Sequence, residues 1–89
     1  MKILKEFILR EIAGEHVLVP TGETTQEFNG LITLTETAGF LWKNIEQAET
    51  VQDLVGLMLE EYEVDEETAQ KDVEKFVAQL VDSGFVAQK

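Results

Sequence analysis

The chain has 89 residues, 44% of them apolar, and no cysteine, which suits a small folded domain and excludes disulfide scaffolds, thiolate metal sites and cysteine catalysis. Seven Lys and Arg against eighteen Asp and Glu leave a formal net charge of −11, a balance that disfavours nucleic acid and anionic membrane surfaces as partners. No apolar run approaches the ~20 residues of a membrane-spanning helix, and Met1-Lys2-Ile3-Leu4 is not the start of a signal peptide. A single cytoplasmic domain over residues 1–89 is therefore expected. The acidic excess is uneven. Residues 1–45 carry four basic and six acidic side chains, whereas residues 46–89 carry three and twelve.

Phe7 to Ala13 and His16 to Pro20 are rich in β-branched and apolar residues and are broken by Gly14-Glu15. A two-residue loop with Gly first suits a type II′ hairpin turn. Pairing through it puts Ile8, Arg10, Ile12, Val17 and Val19 on one face, with Phe7, Leu9, Glu11 and Leu18 on the other. Both sets are mostly apolar, so the pattern leaves open which is buried. Pro20 lacks an N–H and belongs at a strand end. Thr21 to Glu27 is polar, contains Gly22 and reads as a loop.

The chain then changes character at Phe28-Asn29-Gly30-Leu31-Ile32-Thr33-Leu34-Thr35-Glu36. Asn29 to Leu34 predicts a third antiparallel strand, with Phe28, Gly30, Ile32 and Leu34 on one face and Asn29, Leu31 and Thr33 on the other. Thr35 is the expected N-cap of a helix, with Glu36 early in it where the dipole favours negative charge. A strand that runs directly into helices is expected to be the last of its sheet. Its outer edge would then carry unpaired N–H and C=O groups able to accept another extended chain.

Three helices follow by pattern. The first, Glu36 to Gln47, stripes Ala38, Leu41, Trp42 and Ile45 along one side. Thr50 caps the second, Val51 to Tyr62, with Asp53 completing a capping-box variant and Val51, Leu54, Val55, Met58 and Leu59 as candidate buried residues. Asp65 caps the third, Glu66 to Ser83, whose stripe is Ala69, Val73, Phe76, Val77 and Leu80. Gly84 occupies the C′ position. Phe85-Val86 reads as a short returning strand or clasp, and the tail beyond is expected to fray. The fold class is α+β and winged-helix-like: a three-stranded antiparallel N-terminal sheet, then three helices.

The residues Leu9-Arg10-Glu11, Gly14 to Gly22, Phe28 to Leu34, Ala38-Gly39-Phe40-Leu41-Trp42, Leu54 to Tyr62 and Asp72 to Phe76, with Leu80 and Gly84, resemble the PqqD family of small peptide chaperones, or RiPP recognition elements (RiPP, ribosomally made and post-translationally modified peptide). The likeness runs through nearly the whole chain in order. Thr35 stands where many relatives have Asn, and it caps a helix equally well. The resemblance implies a domain that binds the leader segment of a precursor peptide as an antiparallel strand beside the third strand, in a groove walled by the third helix. It implies delivery of that peptide to a modifying enzyme, often a radical S-adenosylmethionine protein; in some members the product is pyrroloquinoline quinone. The peptide-contacting positions expected here are Asn29, Gly30, Leu31, Ile32, Thr33 and Leu34 on the strand and Asp72, Lys75, Phe76 and Gln79 on the helix. Leu31, Leu34 and Phe76 would form the wall, with Asp72, Lys75 and Gln79 along the rim. No cofactor and no catalytic residue is implied.

Several of these residues also have plain structural readings. Phe76 continues the core stripe of Ala69, Val73 and Leu80. Asp72 could serve only a local ion pair. Trp42 reads as core, and His16 as a solvated residue beside a turn. The run Glu60 to Glu67 lacks the glycine and ligand spacing of a calcium loop, and Asp82-Ser83-Gly84 reads as a helix end rather than an activated serine. With no Gly-rich phosphate loop, metal-ligand cluster or nucleophile–base pair, enzymatic activity is not expected. Two other functions fit the outline. A winged-helix DNA-binding regulator would need a basic third helix, and this one offers Lys71 and Lys75 against Glu66, Glu67, Asp72, Glu74 and Asp82. A homodimer could form by pairing two third strands edge to edge.

Overall fold

A computed structural model describes residues 1–27 and 30–87. Phe28, Asn29 and the tail residues Gln88 and Lys89 lie outside the described residues. The elements in order are β1 (Lys2–Ile3), β2 (Phe7–Ile12), β3 (Glu15–Pro20), α1 (Thr24–Glu27), β4 (Ile32–Leu34), α2 (Glu36–Asn44), α3 (Val51–Glu61), α4 (Glu66–Asp82) and β5 (Val86–Ala87). The expected α+β arrangement, an antiparallel three-stranded sheet followed by three principal helices, is what the chain adopts.

In that sheet the order is β2-β3-β4. β2 and β3 pair from Phe7 opposite Pro20 to Ile12 opposite Glu15, so the hairpin loop is Ala13-Gly14 rather than Gly14-Glu15. Ala13 (φ 53°) and Gly14 (φ 82°) are both left-handed, the signature of a type I′ turn rather than II′. Its twist matches that of the flanking strands. The shift changes register by two residues, and the two faces keep the membership expected of them. Phe7, Leu9 and Leu18 pack on the core, while Ile8 and Ile12 are exposed. Ala13 carries a Cβ into a conformation that disfavours one. Ala13→Asn should therefore raise stability by about 0.5–1 kcal/mol, read as a thermal midpoint several degrees higher; a lower midpoint would contradict the turn assignment.

The helix starts follow from local chemistry. Thr35 accepts from the Ala38 N–H at 3.1 Å. Thr50 and Asp53 form the full reciprocal capping box. Asp65 accepts from the Thr68 N–H at 2.7 Å, and the hydrogen bonds from Thr68 hold its carboxyl below the ordinary carboxylate value. At the other end of α4, Gly84 N–H donates to Val81 and Phe85 N–H to Leu80, the paired bonds of a Schellman motif. One stripe of each helix is buried in a shared core, with α2 packed on the sheet and α3 packed against α4. Leu41, Trp42, Ile45, Leu54, Val55, Met58, Ala69, Val73, Val77 and Leu80 are all buried there. Leu59, a candidate for that core, is instead 36% exposed, because it lies one position beyond the stripe that Met58 occupies.

Several elements differ from expectation, among them α2, which ends at Asn44 rather than Gln47. Thr24–Glu27 is a helical turn, not plain loop; buried Thr24 accepts from the Glu6 N–H at 2.8 Å, and Lys5 pairs with Glu27 across it. β4 is shorter than expected, starting at Ile32. The returning C-terminal strand exists, but its partner is β1: Lys2 lies opposite Ala87 and Ile3 opposite Val86. First and last strands thus form a second, two-stranded sheet, extended by the bond from Leu4 N–H to the Phe85 carbonyl. No helix among the described residues is long and apolar enough to cross a membrane.

Candidate functional site

β4 pairs with β3 alone, from His16 opposite Leu34 to Leu18 opposite Ile32. Among the described residues no strand lies on its other side. Alternate main-chain N–H and C=O groups of an edge strand point away from its partner and stay free to bond another chain. What keeps this edge beside a helix is the packing of α2. Gly39 lies so close to His16 that a Cβ there would come within 2.8 Å of the imidazole Cγ. Only glycine lets α2 settle on β3 at the level where β4 ends.

Across from β4, α4 turns a second stripe outward. Asp72, Lys75, Phe76, Gln79 and Ser83 recur at three- and four-residue spacing, which places them on one side of a helix. Between strand and helix runs an open groove of about 810 Å³. Its apolar lining comes chiefly from Leu18, Ile32, Leu34, Phe76, Leu80 and Phe85. Its rim is polar, with Thr33, Asp72, Lys75 and Gln79 exposed to solvent. Phe85 is anchored by Phe7, whose ring centroid is 4.8 Å away, and Phe7 in turn meets Trp42 edge-on at 6.1 Å. The groove floor is thereby continuous with the core. Neither Asp72 nor Lys75 is in an ion pair among the described residues, where the pairs are Lys5–Glu27 and Lys71–Glu67.

Of the positions named from sequence, Ile32, Thr33, Leu34, Asp72, Lys75, Phe76 and Gln79 come together around this one groove. Gly30 and Leu31 do not line it; Leu31 is 59% exposed, with the strand parity opposite to Ile32. Asn29 lies outside the described residues. Phe76 serves two purposes, being only 9% exposed and part of the core while also bordering the groove. Sequence reasoning missed Leu18, Leu80 and Phe85 as lining. Leu80 had a signal, since it follows Phe76 by four residues, whereas Leu18 and Phe85 arrive only through long-range folding. Among the described residues no group of three or more His, Cys, Asp or Glu is placed to hold a metal ion.

Comparisons with known proteins bear on this arrangement. The model of the family described as Coenzyme PQQ synthesis protein D (PqqD) matches residues 15–86, which include β3, β4 and all three principal helices. A search of curated proteins finds no match. Among solved structures, TbiB1 in complex with the TbiA(beta) leader peptide has the same fold, with a TM-score of 0.73 at 22% identity over 100% of this chain and 98% of that one.

Proposed function

The chain belongs to the PqqD family, and from that premise we propose that it binds the leader segment of a ribosomally made precursor peptide by strand addition to β4. It presents that peptide to a modifying enzyme of the radical S-adenosylmethionine type and catalyses no step itself. The observation that carries the reading is the edge of β4, which no strand covers among the described residues and which faces the apolar groove against α4. The likeness to TbiB1, whose structure holds a leader peptide, supports it.

Energetics explain why both parts are needed. Ordering a flexible peptide costs about 1–2 kcal/mol per residue in backbone entropy, while each new main-chain hydrogen bond returns only about 0.5–1.5 kcal/mol net of water. An edge alone would bind weakly and without regard to sequence. Apolar side chains entering the groove, at about 1.5–3 kcal/mol each, supply the remainder and the selectivity. In an antiparallel guest, alternate residues would point at Ile32, Leu34 and Phe76, and the intervening ones away from them.

The test is titration of the leader peptide of a precursor encoded beside this chain's gene. Leu34→Glu puts a charge on the groove wall at a half-buried site and should weaken binding by about tenfold or more with the fold retained by circular dichroism. Unchanged affinity would place the peptide elsewhere. Nucleic acid fits the surface less well, because the exposed side of α4 carries five acidic residues against Lys71 and Lys75, and a gel shift should show no complex. Self-pairing of β4 edges would compete with the peptide, so any dimer formed that way should dissociate as leader is added.

A further inference from the structure

A second hollow, of about 780 Å³, opens at the Leu34 end of β4 and shares Thr33, Leu34 and Thr35 with the groove. Its character is different. Phe40 and Tyr62 meet edge-on there, ring centroids 5.4 Å apart, and Glu11, Glu15, Glu36 and Glu61 line the same hollow. Lys43 lies on the same wall, yet none of these carboxylates is in an ion pair among the described residues. The unbalanced charge is felt locally: partial burial, then Glu36 and Glu61, raise the Tyr62 phenol above its ordinary value. Carboxylates around aromatic faces suit an organic cation, which gains both charge attraction and a π-face.

Strand direction says which part of a guest reaches this hollow. β4 runs from Ile32 to Leu34, so a peptide pairing antiparallel enters at the Leu34 end, and the residues preceding its paired segment lie over Thr35 and Glu36. We infer that the peptide recognised by this chain carries a lysine or arginine immediately N-terminal to its paired segment, seated between the Phe40–Tyr62 rings and the Glu15, Glu36 and Glu61 carboxylates. This rests on strand addition at β4 and adds to it a charge requirement at one end only. The groove selects alternating apolar side chains; the hollow sets where along the peptide they must begin.

The experiment is selection of a displayed library of random twelve-residue peptides on the full chain at about 0.15 M salt, where diffuse attraction is screened beyond about 8 Å. Expected among the selected peptides is a segment of alternating apolar residues, with Lys or Arg enriched about three- to thirtyfold on its N-terminal flank and not on its C-terminal flank. The variant Glu36→Gln with Glu61→Gln, verified folded, should keep the alternating segment and lose the flanking preference. Equal enrichment on both flanks, or an N-terminal preference that survives in the double variant, would overturn the inference and leave the groove reading standing. Failure of any alternating apolar segment to emerge would overturn both.

Discussion

Methylating the backbone nitrogens of a bound peptide, one residue at a time, is expected to weaken its binding with a two-residue rhythm. Each N–H that bonds the β4 edge is lost on methylation and its acceptor carbonyl on β4 is left covered by a methyl group. The loss should be about 1–3 kcal/mol, or about five- to hundredfold in affinity. Nitrogens between those positions point away from β4, and their methylation should cost much less. The rhythm follows from antiparallel pairing, in which bonded groups alternate along each strand. A guest bound instead as an amphipathic helix would show sensitivity at three- and four-residue spacing through its side chains. A methylation profile without the two-residue period would rule out strand addition. Because β4 spans only Ile32–Leu34, few positions should be sensitive, which leaves the apolar groove the larger share of the affinity.

Leu54→Ala should be the most damaging of conservative core substitutions. Leu54 is 0% exposed on α3, within the cluster that joins α2, α4 and the sheet. Removing its side chain costs about 2–5 kcal/mol, transfer and cavity together. A domain of this length has a total stability of about 4–13 kcal/mol, so the thermal midpoint should fall by about 10–30 °C. Leu59→Ala is the control: the same chemistry at a site 36% exposed should shift the midpoint by only a few degrees. Equal effects at the two positions would show that the face of α3 turned inward is not the one containing Leu54, Val55 and Met58.

Whatever depends on neighbours in the chain was legible from sequence. Thr35, Thr50 and Asp65 announce their helices because a capping bond spans only three residues, and Gly84 closes α4 for the same reason. The stripe from Ala69 to Leu80 is equally local. The hairpin faces survived a wrong turn because the error was two residues, which restores side-chain parity. What was not legible is non-local or unusual. Ala13 adopts a left-handed conformation that its type does not advertise. The pairing of Lys2 and Ile3 with Val86 and Ala87 joins opposite ends of the chain through too few residues to leave a pattern. Thr24–Glu27 is polar throughout, and its helical turn is held by Glu6 and Lys5 from another segment. For the groove, helix periodicity brought Asp72, Lys75, Phe76 and Gln79 to one side, but strand parity alone could not say that Ile32 rather than Leu31 looks inward.

The pleat of β4 has a corollary for how a tag laid along it would be read. With Ile32 and Leu34 turned into the groove and Thr33 on its rim, only every second letter of a tag paired there would be inspected. The skipped letters would stay displayed on the opposite surface, legible to another protein while the first still held on. One short address could then carry two interleaved messages, and each could drift over generations without scrambling the other.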